Sequence, residues 1–279
     1  MTQALQDTRR SLRWLFRKVA IPVFRRFNPG DVSIRHHYTG ERFRLHSFMH
    51  KGYWFYGRRR EHESMSLFSR LVSPGDRVIE IGGHIGYITL YFASLVGEHG
   101  EVIVFEPGSN NLPYIRTNVG GRKNVTLIES AVADFCGKAS FYIENYTGQN
   151  NSLLNDYVRL DDNLDAAGLG SRVVRSKVEV NCIRLDDFLK DGAAPSFIKI
   201  DVEGAELMVL KGMSHTLRAA NLALMVEVTC RAPQVFELLT AAGFKAFADF
   251  RRPITDANEL LGNTFWLQDT DPRLRLLMR

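Results

Sequence analysis

From Arg77 onward the chain alternates two hydrophobic patterns. Short runs rich in Val, Ile and Phe are separated by segments whose apolar positions recur every three or four residues. The runs predict strands at 77–82, 101–105, 125–129, 138–143, 177–183, 196–200, 222–228, 244–250 and 264–267. The segments predict helices at 63–71, 85–96, 109–119, 185–190, one after the 196–200 run that extends through 211, 215–219 and 233–242. Ser73-Pro74-Gly75-Asp76 is a turn by composition. Repeated strand–helix units predict an α/β fold with a mostly parallel sheet and helices on both faces. Residues 144–176 are rich in Asn, Asp and Gly, have weak periodicity and read as a polar insertion near the site. Residues 31–70 are a transition. Tyr53, Trp54, Phe55 and Tyr56 read as core or lid, and Arg58-Arg59-Arg60 as a solvated face.

Composition bounds this picture. The chain has 279 residues, 45% of them hydrophobic, enough for one substantial core plus an extension. We divide it into a basic amphipathic N-terminal extension and cap, 1–62, and a main domain, 63–279. Cys136, Cys182 and Cys230 are far apart, with no zinc or disulfide spacing, which suits a reducing, cytoplasmic compartment.

The net charge of +5 is uneven. Arg9, Arg10, Arg13, Arg17, Lys18, Arg25 and Arg26 stand against the single acid Asp7 in the first 30 residues. Leu12, Leu15, Phe16, Val19, Val23, Phe24 and Phe27 fall between them at helical spacing, with Pro22 as a kink. The charges break any secretory core, and no run reaches the ~20 apolar residues of a membrane span. Two readings stand for residues 8–28. One is a helix docked on the protein itself or on a second copy in a homo-oligomer. The other is a helix on an anionic membrane surface, at the inner face of the membrane. No nucleic-acid partner is expected, since no recognised nucleic-acid-binding pattern is present.

The chemistry concentrates after the first strand. Glu80 is followed by Gly82, Gly83 and Gly86 as the helix begins. A strand turning into a helix presents backbone N–H groups, and glycines let a ligand approach them. Open α/β sheets hold ligands at the carboxyl ends of their strands. Three acids fall there: Glu80, Glu106 in Phe105-Glu106-Pro107, and Asp201 in Ile200-Asp201-Val202-Glu203-Gly204. Glu106 stands where a carboxylate accepts from ribose hydroxyls. His84 and Tyr87 stand where the nicotinamide fingerprint needs its second and third glycines. That spacing disfavours an NAD-dependent oxidoreductase and suits a cofactor without pyrophosphate, such as S-adenosylmethionine. A non-catalytic membrane-peripheral binding module is the alternative from another class, and the intact turn speaks against it.

Glu80-Ile81-Gly82-Gly83-His84-Ile85-Gly86-Tyr87-Ile88-Thr89-Leu90 resembles the first motif of the FkbM family of S-adenosylmethionine-dependent methyltransferases. Val104-Phe105-Glu106-Pro107 resembles its second. Ile198-Lys199-Ile200-Asp201-Val202-Glu203-Gly204-Ala205-Glu206, with Val209-Leu210-Lys211-Gly212, resembles its most specific one. Met225-Val226-Glu227 resembles a later strand ending in glutamate. The likeness spans about 63–267. It departs at Glu80, where aspartate is usual, and at Gly83-His84, where Ala-Asn is usual.

The resemblance implies a class I, Rossmann-like fold with a seven-stranded sheet, and methyl transfer to a hydroxyl of a sugar, glycan or glycosylated metabolite. It implies cofactor contacts from Glu80, Gly82, Gly83, His84, Gly86, Tyr87, Glu106, Pro107, Ala131 and Asp201. A sugar hydroxyl needs a base. Asp201, Glu203 and His84 are the catalytic candidates. Asp201, Glu203 and Glu227 are alternatively ligands for a hard cation such as Mg²⁺. For Glu203 a dipole-stabilised first-turn acid, and for His84 simple packing, are the structural readings.

Overall fold

The computed structural model describes residues 28–145, 147–155, 174–249, 252–260 and 262–277. Nearly all of the helix expected over 8–28, and most of the 144–176 insertion, lie outside them. The chain enters through a hairpin, β1 (Asp31–Arg35) and β2 (Arg42–His46), then α1 (Lys51–Tyr56) and α2 (His62–Leu71). The strand–helix series follows as β3 (Arg77–Ile81), α3 (Tyr87–Val96), β4 (Glu101–Phe105), α4 (Leu112–Val119) and β5 (Val125–Ile128). After β6 (Ala131–Val132), β7 (Gly137–Glu144) and β8 (Arg175–Ile183) come α5 (Leu185–Leu189), β9 (Phe197–Ile200), α6 (Glu206–Gly212), β10 (Ala223–Val228) and α7 (Ala232–Ala241). The chain closes with β11 (Phe244–Asp249), β12 (Arg252–Ile254), β13 (Gly262–Gln268) and α8 (Leu274–Leu277).

The main sheet has the order β12-β11-β13-β10-β9-β3-β4-β5. Neighbours from β10 to β5 are parallel, and β13, β11 and β12 add antiparallel pairs. Eight strands replace the expected seven. The extra one is the short edge strand β12, where Pro253 is tolerated because no further strand needs its missing N–H. The predicted runs at 138–143 and 177–183 leave the main sheet. They become β7 and β8, which with β6 form a separate three-stranded sheet.

Alternation along the central strands builds a core on each face. Val78, Val102, Val104 and Phe197 point into one apolar cluster, and Ile79, Ile103, Phe105, Ile198 and Ile200 into the other. Both faces are covered, as a parallel sheet requires. The chain builds outward from β3 to β5 and then returns on the other side through β9. The direction of winding therefore switches between β3 and β9, and the ligand crevice of such sheets opens at that point.

Part of the 31–70 segment, read from the sequence as a transition, forms a hairpin. Phe43 and Leu45 are fully buried, while Arg42 and Arg44 face outward, a period of two. Phe43, Leu45 and Tyr53 join the same core as α2 and α3, so residues 31–56 pack as part of the domain. Asn118 of α4 clamps the hairpin in place. Its Oδ1 accepts from the Arg44 N–H at 2.7 Å, and its Nδ2 donates to the carbonyls of Arg44 and Ile85.

Candidate active site

Three loops at the carboxyl edge of β3, β4 and β9 meet backbone to backbone. The N–H groups of Gly82 and Gly83 both donate to the Phe105 carbonyl at 3.0 Å. Gly82 has φ +90°, and a Cβ there would lie 1.8 Å from the Asp201 carbonyl oxygen. Only glycine allows that approach. Gly83 packs on Val104 and Ile115, and Gly86 stands one residue ahead of α3. Two non-glycine residues flank the crevice in left-handed conformation, His84 at φ +49° and Glu203 at φ +52°. Backbone strain of about 1–3 kcal/mol each persists only where surrounding contacts enforce it.

Beside these turns lies Lys199. It sits in the middle of β9, 1% exposed, directly beside Glu80 of β3 in the parallel register. Its Nζ lies 3.1 Å from Asp201 Oδ2, 3.2 Å from the Gly82 carbonyl and 3.6 Å from Glu80 Oε1. Burial opposes the Lys199 charge, but Asp201 and Glu80 outweigh it and hold the ammonium above its ordinary pKa. Burial pushes the Glu80 carboxyl up to about 7, against Lys199 and the Thr89 hydroxyl, which donates to Oε2 at 2.6 Å. Glu80, expected to touch the cofactor, thus spends both oxygens inside the protein.

Glu106 is 4% exposed and receives three donors. Oε2 accepts from the His84 N–H at 2.7 Å. Oε1 accepts from the Gly108 N–H at 2.8 Å and from Asn111 Nδ2 at 3.1 Å. Burial still pushes its carboxyl up to about 7, against these hydrogen bonds. Pro107, half-buried, carries the chain from Glu106 toward α4.

His84 reaches the turn as expected, but with both ring nitrogens engaged. Nε2 is 3.3 Å from the Thr147 carbonyl, and Nδ1 is 3.1 Å from the Tyr53 hydroxyl. A carbonyl only accepts, so Nε2 carries the hydrogen and Nδ1 accepts from Tyr53. Burial pushes the imidazole pKa down to about 3. A ring held this way is a poor general base, which argues against the catalytic role considered for it.

Tyr87 opens α3, but its ring turns away from the crevice. It packs 4.1 Å from His36 and 4.8 Å from Tyr53, and its hydroxyl lies 2.9 Å from His37 Nδ1. Ala131 lies in β6, buried and paired with Cys182. Both side chains serve packing.

The remaining acids converge. One oxygen from each of Asp201, Glu203 and Glu227 lies within 4.8 Å of the others. Asp201 stands one residue past β9, and Glu227 lies near the carboxyl end of adjacent β10. Burial opposes the Asp201 charge. Lys199 and a hydrogen bond shared with Glu227 outweigh it and hold the carboxyl below its ordinary range. Two carboxyl groups hydrogen-bond only with a proton between them. Glu206 stays out of this group, its Oε1 accepting from the Gly204 N–H and the Thr229 hydroxyl, each at 2.8 Å.

Sequence reasoning passed over several residues. Lys199 was visible within its motif, and a lysine inside a β-branched run demands buried acids around it. Tyr53 was seen only as an aromatic, and its bond to His84 gave no local signal. Asn110 and Asn111 tie the Glu106 loop to Asn151 and Gly148 of the polar loop, and Thr147 ties that loop to His84, through contacts between distant segments; of these only Asn151 was read from the sequence, as one of the amide and hydroxyl side chains of 149–152 suited to sugar hydroxyls.

Removing the Lys199 charge leaves Glu80 and Asp201 buried without their cation. The Lys199→Met variant is expected to lose about 3–5 kcal/mol of stability in urea unfolding. A loss under about 1 kcal/mol, the range of a surface pair, would contradict the cluster's role.

A family model for the methyltransferase FkbM domain matches residues 80–252. The chain is 28% identical over 155 residues to "Methyltransferase 1" of Beauveria bassiana (strain ARSEF 2860), covering 49% of this chain and 57% of that protein's length. Among solved structures it is similar to methyltransferase FkbM from Methylobacillus flagellatus KT, with 14% identity, a TM-score of 0.43, and 75% of this chain and 52% of that one covered. It is also similar to Aeropyrum pernix fibrillarin in complex with S-adenosyl-L-methionine, with 13% identity, a TM-score of 0.42, and 73% of each chain covered. The matched segment runs from Glu80 past Asp201, Glu203 and Glu227, through the motifs that form the crevice, and the chain belongs to the FkbM family of methyltransferases.

Proposed function

We propose that this chain is an S-adenosylmethionine-dependent O-methyltransferase acting on a hydroxyl of a sugar in a glycan, glycolipid or glycosylated metabolite. The observation that carries this reading is the Asp201–Glu203–Glu227 set beside the Gly82–Gly86 turn. A methyltransferase needs its acceptor oxygen aligned and deprotonated where the cofactor's methyl arrives. Carboxylates that share a proton at that place suit the task.

The residues present fit the cofactor. The Gly82 turn brings its backbone within touching distance of the Asp201 loop, and Glu106 offers a buried carboxylate to ribose hydroxyls. S-adenosylmethionine supplies a sulfonium-activated methyl group. The protein would align the acceptor hydroxyl in line with it, and a carboxylate of the Asp201–Glu203–Glu227 set would take the hydroxyl proton. When bound, the cofactor would supply the methyl and keep the C–S bonding electrons on its sulfur. Asp201, Glu203 and Glu227 also fit a hard divalent cation such as Mg²⁺, an all-oxygen set that would orient the hydroxyl and lower its pKa. Glu203 is held for either role by its strained backbone, since its carbonyl accepts from the Ser152 hydroxyl at 2.7 Å.

The test is incubation with methyl-labelled cofactor and fractionated glycans, lipids and nucleic acids. Label in an O-methyl sugar is expected, and label only in nucleic acid or protein would overturn the substrate class. Glu227→Gln and Glu203→Gln are expected to lower kcat by about 10²–10⁴-fold with little change in cofactor affinity. Full turnover in both would overturn the catalytic assignment. Chelation followed by Mg²⁺ restoration separates the two roles. Loss and recovery support the cation, and no effect leaves base catalysis alone.

Glu106 sets a pH dependence for binding. Burial pushes its carboxyl up to about 7, so below that pH it is protonated and Oε2, the oxygen with a free acceptor site, is less available to a ribose hydroxyl. Affinity for S-adenosylhomocysteine is expected to fall as pH drops below 7, by up to about tenfold per unit, and to level off above it. Calorimetry at pH 6 should show a proton released on binding, and at pH 8 none. Equal affinity and no proton release at pH 6 would contradict the assignment.

A further inference from the structure

Asn111 is the residue at this site whose chemistry is left over. It is 2% exposed. Its Nδ2 donates to Glu106 Oε1 at 3.1 Å and to the Gly148 carbonyl at 3.0 Å, two acceptors that fix the orientation of the amide. Oδ1 is then a buried acceptor with no hydrogen-bond donor among the described residues. Folded proteins rarely leave such an atom without a reason.

What covers it is a strap, residues 147–152. The Thr147 carbonyl accepts from His84 and the Gly148 carbonyl from Asn111. Asn151 Nδ2 donates to Asn110 Oδ1 at 2.8 Å, and the Ser152 hydroxyl donates to the Glu203 carbonyl. The strap thus touches the loop after each of β3, β4 and β9. Its base is hooked to β7 by paired backbone bonds between Tyr142 and Ser152. At Gly148 a Cβ would lie 2.4 Å from Asn111 Oδ1, so only glycine fits over that oxygen.

The acceptor count at Glu106 points to what Oδ1 is for. A carboxylate offers about four lone-pair sites. Three are taken by His84, Gly108 and Asn111, and the free one is on Oε2. A ribose presents two neighbouring hydroxyls, so Glu106 has room for one of them and the other needs a second acceptor.

We infer that Asn111 Oδ1 accepts from one ribose hydroxyl of the cofactor while Glu106 Oε2 accepts from the other, and that the 147–152 strap lifts from this pair to admit them. This rests on the cofactor reading above. The glycine at 148 lets the strap close tightly over Oδ1 when the site is empty. Closure competes with the cofactor, and apparent affinity is reduced by the fraction of closed molecules.

The test is calorimetric titration of S-adenosylhomocysteine and its 2′-deoxy and 3′-deoxy analogues into the wild-type chain, Asn111→Ala and Gly148→Ala. In the wild type each analogue is expected to bind about tenfold more weakly than the parent. In Asn111→Ala the penalty should vanish for one analogue and persist for the other. If both penalties shrink together, Asn111 acts only by holding Glu106, and the inference is overturned. It is equally overturned if neither shrinks, or if one hydroxyl already proves dispensable in the wild type, a result that needs no variant to fold. Gly148→Ala, which pushes the strap off Oδ1, should bind the parent several-fold more tightly, and weaker binding would overturn the covering role. A wild type that takes up no S-adenosylhomocysteine would overturn the cofactor reading itself, together with this inference.

Discussion

A lysine inside a parallel sheet has to be neutralised, and the site is arranged around that requirement. Lys199 has apolar strand neighbours on both sides, and an unpaired charge there would be prohibitive. Glu80 arrives through the strand register, Asp201 through the turn after β9, and the Gly82 carbonyl through the glycine turn. One cation therefore locks together two of the three loops that form the crevice. It also sets their charge. Lys199 keeps Asp201 ionised although buried, and it opposes the burial that pushes the inward-turned Glu80 carboxyl up to about 7.

A second set of bonds holds the strained backbone. His84 and Glu203 hold left-handed conformations on opposite lips of the crevice, each fixed by long-range bonds. His84 is held by Glu106, Tyr53 and Thr147, and Glu203 by Ser152. Two of these bonds come from the 147–152 strap, so the lips and the strap are coupled. These bonds also give His84 a positioning task in place of a proton-transfer one. At His84, the aromatic Tyr53 of α1 is bonded to the turn.

Much of this was legible in the sequence because parallel strands buried on both faces write themselves as β-branched runs. All seven runs that enter the main sheet were visible, as was the glycine turn. The hairpin was hidden because the alternating arginines of Arg42-Phe43-Arg44-Leu45 read as charge, although their period of two was present. β6 and β12 are too short to carry a pattern. The division of roles among the acids was the least legible. Glu80, Glu106 and Asp201 each stand at a strand end, and only their partners separate the inward-facing acid, the shielded one and the one that converges with Glu203 and Glu227. Those partners, Thr89, Asn111 and Glu227, lie at sequence distances that no local pattern reports.

The claim on which the rest depends is that the crevice between β3, β4 and β9 takes a cofactor without pyrophosphate. Calorimetric titration of the intact chain with S-adenosylmethionine and, separately, with NAD tests it most directly. Saturable binding of S-adenosylmethionine at one site per chain, with no heat from NAD, is the result expected. Binding of NAD, or of neither, would contradict it.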